Sequence, residues 1–243
     1  MKKQITTRWF KGWSNEYDNT LGRISFHKDL VNMAVRYSGV KDNHKVLDIG
    51  CGTGLLSLKF LKAADCSITG IDNSEDMLSI FKHKVKKLDL HKSITIKSMD
   101  ANSLKFNKNS FDIIASVVTL HHLKNKHRSL KKIYSMLKPG GLFIIGDIDM
   151  DTTGCHTDIN RLKRILRILE DEWICALKEV GVDAFRRMFD NGKKHILNEG
   201  EYCISFKEWT ELCKTIGFRV ISVKSIPGHK EFKVLVAQKP GKY

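Results

Sequence analysis

Val46-Leu47-Asp48-Ile49-Gly50-Cys51-Gly52-Thr53-Gly54 is the stretch that decides the reading of this chain. A short apolar strand, Lys45 to Ile49, runs into a glycine turn, and Leu55 to Ala64 follows with helical spacing. Glycines at such a turn let the backbone bend and let a ligand approach it closely. The helix N-terminus beyond them offers free N–H groups. The register is G-x-G-x-G, and Leu55 stands where the third glycine of a dinucleotide fingerprint would fall. That departure counts against NAD or FAD.

Outward from this turn the chain alternates strand and helix signals. Ser67 to Ile71 is a second strand ending at Asp72, and Ser74 is an N-cap for a helix with Met77, Leu78, Phe81 and Val85 on one face. Ser93 to Ser98 alternates as a third strand, and Phe111 to Val118 is nearly all apolar, as a buried parallel strand should be. Asn125 to Leu137 reads as a helix ended by Lys138-Pro139-Gly140-Gly141, and Leu142 to Gly146 as the fifth strand. Five strands with helices between them predict a parallel sheet with right-handed crossovers. Residues 8–38 read as a helical cap. Residues 158–180 form an amphipathic helix with Ile159, Leu162, Leu166, Leu169, Trp173 and Leu177 on one side. A helix from Lys207 to Ile216 then leads to strands Phe218 to Ile226 and Glu231 to Gln238, turned by Pro227-Gly228.

The division expected is one domain over 1–243, with a cap at 1–43, a ligand-binding core at 44–150, a helical insertion or lid at 151–205, and a last helix and strand pair at 206–243. The 243 residues, 42% hydrophobic and 28% charged, suit one globular domain. No apolar run is long enough for a membrane span, and the basic start has no apolar stretch behind it, so a cytoplasmic location is expected. Six cysteines form no C-x-x-C pair, and Cys155-His156 has no partner motif, so free thiols and no metal are expected. The net charge is +15. It is spread as +5 over 1–45, +6 over 46–150, zero over 151–200 and +4 over 201–243. A diffuse excess reads as a solvated basic surface rather than a nucleic-acid footprint.

Three aspartates end or precede the ends of the first three strands: Asp48, Asp72 and Asp100. Ligands of open α/β sheets bind at those strand ends, and an acid after the second strand can hold both hydroxyls of a ribose. In this ordered set the sequence resembles the class I S-adenosylmethionine methyltransferases, from about Trp9 to Gln238 and most strongly over 44–149. The glycine segment looks like the family's first motif, and Gly70-Ile71-Asp72-Asn73-Ser74 its second. Met99-Asp100-Ala101 resembles the third, and Phe111 to Ser116 with Leu120-His121-His122-Leu123 the fourth. Leu137 to Gly141 is similar to the turn that follows. The resemblance implies a Rossmann-like three-layer α/β sandwich, with a mostly parallel seven-stranded sheet and a terminal antiparallel hairpin. It also implies S-adenosylmethionine as cofactor. Asp48 and the loop Gly50, Cys51, Gly52 and Gly54 would hold the methionine end. Asp72 would hold the ribose, and Asp100 and Ala101 the adenine, with Asn73 and Met77 beside it. Ser116 and Val117 would line the methyl-donor side.

The segment Trp9 to Asp18 resembles the cap of the small-molecule branch related to ubiquinone and menaquinone methyltransferases, where the tyrosine matching Tyr17 lies over the cofactor. An aromatic face there can stabilise a sulfonium; equally, these aromatics can simply pack a helix. The activity implied is in-line transfer of a methyl group to a small-molecule acceptor, its atom (N, O, S or C) left open. A base is needed only where the acceptor keeps a proton. Candidates for catalytic roles are His121, His122 and Tyr17. His195, Glu199 and Tyr202 fall where a roof over the acceptor could lie, and read first as packing or surface. Alternatives are an RNA methyltransferase and a non-catalytic S-adenosylmethionine-binding protein. The first lacks the Asn/Asp-Pro-Pro-aromatic signature for a flipped base, because the fourth motif reads Val118-Thr119-Leu120-His121-His122. Intact acids and glycines count against the second. Membrane contact, through Arg161 to Arg167, is expected only for a lipid-like acceptor.

Overall fold

A computed structural model describes residues 13–241, apart from Asn198 and Gly200. The expected Trp9 and Phe10 contacts therefore lie outside the described residues. The elements are α1 Ser25–Ser38, β1 Lys45–Ile49, α2 Leu55–Ala63, β2 Ser67–Asp72, α3 Glu75–Lys87, β3 Ile94–Ser98, β4 Phe111–Val117, α4 Lys126–Met136, β5 Leu137–Ile148, α5 Ile159–Glu179, α6 Val182–Leu197, α7 Phe206–Ile216, β6 Arg219–Ile226 and β7 His229–Gln238.

The seven strands make one sheet in the order β3-β2-β1-β4-β5-β7-β6. β1 to β5 pair in parallel, and β7 runs antiparallel to both β5 and β6. This is the Rossmann-like architecture that the alternation of strands and helices implied. Strand residues alternate between two apolar layers. Val46, Ile113, Ala115, Ile144 and Val234 pack with α1, α2 and α3, whereas Leu47, Ile114, Phe143, Ile145 and Leu235 pack with α4 and α7. A sheet covered on both faces explains why these strands read as nearly continuous apolar runs. The strand order reverses between β1 and β4, which opens a crevice at their carboxyl ends.

Three sequence expectations need correction. The cap is not helical throughout: short 3-10 turns at Tyr17–Asn19 and Leu21–Arg23 precede α1. Thr20 stands between them at φ −112°, ψ −95°, outside the helical region, and its hydroxyl accepts from Trp13 Nε1 at 2.9 Å. Residues 138–141 do not separate a helix from a strand that starts at Leu142. β5 begins at Leu137, which pairs with Phe111, and the next pair is Ile113 with Leu142, so the Pro-Gly-Gly segment is an irregularity inside the strand. Lys138 fixes it by pairing with Asp112 at 2.8 Å, and Gly140 N donates to Lys239 O at 2.8 Å.

The third correction concerns α5. Ile159, Leu166 and Leu177 are exposed, whereas Arg161, Ile165, Leu169, Glu172, Cys175 and Ala176 are buried. Two apolar stripes compete at helical spacing, and the helix buries the one containing Arg161. That guanidinium donates to the carbonyls of Thr152 (3.1 Å), Ile196 (3.0 Å) and His195 (2.8 Å), tying α5 to the end of α6. Glu179, at the end of α5, accepts from Ser25 N and Ser25 Oγ at 2.6 Å each and so caps α1. The insertion is thereby braced internally and joined to the cap.

The last helix, α7, opens with a reciprocal cap. Glu208 N donates to Ser205 Oγ at 3.2 Å, and Ser205 N donates to Glu208 Oε2 at 2.9 Å. Ser205→Ala is expected to lower stability by about 1 kcal/mol, read from the midpoint of chemical denaturation. An unchanged midpoint would show that this cap is redundant.

Candidate functional site

At the carboxyl ends of β1, β2 and β4 lies a cavity of about 540 Å³. Its walls include Asp48, Gly50, Cys51, Gly52, Asp72, Asn73, Met77, Asp100, Ala101 and Val117 from the expected binding set. Tyr17 comes over from the cap, and His122, Glu199 and Tyr202 close the other end. Gly54 and Ser116 are not on the cavity wall. Gly54, at φ +89°, is where Phe81 closes on the loop; a Cβ there would lie 2.2 Å from the Phe81 ring. Ser116 is buried, and its hydroxyl donates to Ile49 O at 2.8 Å, stitching β4 to β1. His121 also lies off the wall, behind His122.

The glycine loop is held by the sheet it leaves. Gly50 N and Cys51 N both donate to Ile71 O, at 2.8 and 2.9 Å. Asp72 then braces the loop and the next helix together: Oδ2 accepts from Gly52 N and Oδ1 from Ser74 N, each at 2.9 Å. These bonds leave each carboxylate oxygen with acceptor capacity toward the cavity. Gly52 sits at φ +50°, and a Cβ there would meet nothing within 4 Å, so the loop's inner surface is open to a ligand. Asp48 is buried and accepts from Ser57 Oγ at 2.6 Å. Burial above all pushes its pKa up to about 7, and the nearby Asp72 adds to that. Burial likewise raises Asp72. Two crowded carboxylates against one cavity favour a ligand that brings positive charge.

The cap closes this half of the cavity. Thr53 Oγ1 donates to Asp18 at 2.6 Å, while Lys84 pairs with Asp18 and also donates to Thr53 O at 2.8 Å. Tyr17 stacks edge-on against Trp13 with centroids 5.1 Å apart. Burial, with Asp72 and Asp18 nearby, holds the Tyr17 phenol well above its ordinary pKa, so it stays neutral. His27 shares the wall, and burial drops its pKa to about 4.

The opposite end joins His121 and His122, expected as catalytic candidates, to acids that the sequence did not single out. Asp147 Oδ1 lies 2.8 Å from His121 Nδ1. Glu201 Oε2 lies 3.3 Å from His121 Nε2 and 3.0 Å from His122 Nδ1. Burial opposes a charge on His121, but Asp147 and Glu201 outweigh it and raise the pKa to about 9. Burial opposes a charge on Glu201 too, yet His122, His195 and His121 keep it well below the usual carboxylate range. Burial pushes Glu172, which faces the same cluster, up to about 8. Tyr202 N donates to His121 O at 2.8 Å, and Lys126 Nζ donates to the carbonyls of Leu123 (2.8 Å) and Tyr202. These bonds fasten the 201–202 segment to the turn at Leu120–His122. His195, expected as surface or packing, is buried with its ring 6.0 Å from that of His121. No spacing rule could have found this cluster, because β5, the 120–122 turn and the 199–203 segment meet only in three dimensions.

Residues 47–145 match the protein family described as "Methyltransferase domain". The chain is 29% identical over 157 residues to the ubiquinone/menaquinone biosynthesis C-methyltransferase of Blochmanniella floridana, covering 63% of this chain and 62% of that protein. It is 32% identical over 156 residues to the demethylmenaquinone methyltransferase of Staphylococcus saprophyticus, covering 63% of this chain and 66% of the relative. The match thus spans less than two thirds of either relative's own length. An S-adenosylmethionine-dependent methyltransferase from Aquifex aeolicus superposes with a TM-score of 0.59 over 92% of this chain and 93% of that one, at 18% identity, a likeness of fold. In sequence over residues 47–145 and in architecture, the chain is similar to S-adenosylmethionine-dependent methyltransferases, the ubiquinone/menaquinone-type enzymes among them.

Proposed function

We propose that this protein transfers a methyl group from S-adenosylmethionine to a small-molecule acceptor enclosed between the glycine loop and the 199–202 segment. The observation that carries this reading is the Asp72 carboxylate, locked by Gly52 N and Ser74 N at the mouth of β2 with capacity left toward a cavity of about 540 Å³. The cavity suits the cofactor on its own terms. Its walls supply acids at Asp48, Asp72 and Asp100, an open glycine floor, and a neutral aromatic ring at Tyr17.

S-adenosylmethionine, when bound, supplies a methyl group already activated on a sulfonium sulfur. Asp72 would accept from the ribose hydroxyls. Asp100, Ala101, Met99 and Met77 would enclose the adenine, and Asp48 and the Gly50–Gly52 backbone the methionine end. Tyr17 would set its ring near the sulfonium. The chain's remaining task is to align donor and acceptor and keep water out, and the cap residues Tyr17, His27 and Val31 with Glu199 and Tyr202 serve that closure. On the acceptor side stand His122, Thr119, Glu199 and Tyr202. The size of the cavity, about 540 Å³, and the absence of charge excess over 151–200 favour a small acceptor over RNA. Its atom is left open, as the fold serves many acceptors. Two further expectations remain part of this reading: the division into cap, core, insertion and terminal segment, and a cytoplasmic location. Among the described residues no helix is long and apolar enough to cross a membrane.

Titration calorimetry with S-adenosylhomocysteine tests the reading. Wild-type protein is expected to bind at one site per chain. Asp72→Ala should weaken that binding by about 10- to 100-fold, the loss of a hydrogen bond to a charged group at roughly 1–3 kcal/mol. Folded wild-type protein that binds neither S-adenosylhomocysteine nor S-adenosylmethionine would overturn it.

A further inference from the structure

The cluster behind His122 has the form of a metal site. Three side chains converge on one point: His121 Nε2, His122 Nδ1 and Glu201 Oε2, all within 4.8 Å of one another. Two of their separations, both about the Glu201 oxygen, are 3.3 Å to His121 Nε2 and 3.0 Å to His122 Nδ1. Donor atoms about 2.1 Å from one zinc-class ion sit roughly 3.0–3.4 Å apart, from octahedral to tetrahedral angles. A hydrogen-bonded ion pair would show similar distances but would also aim an N–H at the oxygen. Here Glu201 Oε2 is buried, on a residue only 2% exposed, and makes no hydrogen bond among the described residues despite two ring nitrogens beside it.

The surroundings suit coordination. Asp147 Oδ1, itself fixed by Ile148 N at 2.9 Å, lies 2.8 Å from His121 Nδ1. A carboxylate there holds the proton on Nδ1, so that the proton a metal ion would displace is the one on Nε2, as for metal-bound histidines backed by carboxylates. Of the nearby cations, Lys126 spends its ammonium on the Leu123 and Tyr202 carbonyls, and Lys194 also feels the Glu201 charge. Two imidazoles and one carboxylate form a donor set for zinc, iron(II) or similar divalent transition metals rather than magnesium or calcium.

We propose that His121, His122 and Glu201 bind one divalent transition-metal ion, with Asp147 orienting His121. Because His122 also lines the cavity, an oxygen or sulfur of the acceptor is the ligand class for a remaining position on the ion. That service to the acceptor rests on the methyltransferase reading; the metal site itself does not. A second trio, Cys175, Glu179 and His229, also lies close together. Its groups are engaged around Ser25, whose hydroxyl meets Glu179 at 2.6 Å and His229 at 3.1 Å, in the cap of α1.

The test uses tag-free full-length protein, titrated with zinc by calorimetry and with cobalt(II) by visible absorption. One ion per chain is expected, with a cobalt spectrum lacking thiolate charge transfer. Glu201→Gln and His122→Asn should each weaken zinc binding at least tenfold, and Asp147→Asn by about 10- to 100-fold. Circular dichroism and thermal denaturation of the same variants check that each still folds. His122→Asn, at a half-buried position, serves where Glu201→Gln does not fold. The proposal is overturned if wild-type protein takes up no stoichiometric zinc, or if these variants bind zinc as tightly as wild type. It is also overturned if Cys175→Ser, rather than Glu201→Gln, removes the site. Zinc uptake without S-adenosylhomocysteine binding would uphold the metal site and refute the methyltransferase reading instead.

Discussion

Arg161→Ala is expected to destabilise the protein by about 3–5 kcal/mol. Three buried carbonyls, those of Thr152, His195 and Ile196, lose a charged donor together. Each such loss is worth roughly 1–3 kcal/mol, and water entering the vacated volume recovers part of it. Lysine is a poor replacement, because a single ammonium cannot span three carbonyls that a planar guanidinium reaches at once. The effect should spread toward the acceptor end, since Arg161 holds the end of α6, a few residues before Glu199 and Tyr202 on the cavity wall. Chemical denaturation, together with limited proteolysis across 151–205, would measure it. A midpoint shift worth less than about 1 kcal/mol with unchanged proteolysis would show that the guanidinium is not what holds the insertion.

Alanine at Gly54 and alanine at Gly52 should separate folding from binding within one loop. At Gly54 the backbone lies at φ +89°, and a new Cβ would come within 2.2 Å of the fully buried Phe81 ring. Left-handed backbone adds roughly 1–2 kcal/mol and overpacking another 1–3 kcal/mol, so about 2–4 kcal/mol of stability should be lost. Gly52 has φ +50° and nothing within 4 Å of a Cβ. Its alanine variant should lose only about 1 kcal/mol of stability. Its methyl group, however, would occupy the cavity floor and weaken S-adenosylhomocysteine binding at least tenfold. Thermal denaturation and calorimetry on the two variants would decide. A stable Gly54→Ala that binds poorly, beside an unstable Gly52→Ala that binds well, would mean that the loop's roles are reversed.

The sequence by itself determined the sheet and its ligand-bearing edge. Continuous apolar runs such as Phe111 to Val117 can be satisfied only by a strand covered on both faces, and G-x-G-x-G after such a strand can only turn toward its carboxyl end. Asp48, Asp72 and Asp100 were legible because local strand and turn geometry alone carries them to that edge. Tertiary structure decided whatever depended on the side from which a neighbour arrives. In α5 two apolar stripes fit the helical period, and only the carbonyls of Thr152, His195 and Ile196 select the one that includes Arg161. Gly54 faces Phe81 and Ser116 faces Ile49 rather than the cavity, a distinction that no spacing encodes. Asp147, His121 and Glu201 lie far apart in the chain, and of the three only His121 was expected at the site. Their meeting in a buried cluster reflects long-range packing, in which the low polarity of the interior makes every charge depend on partners that local sequence does not supply.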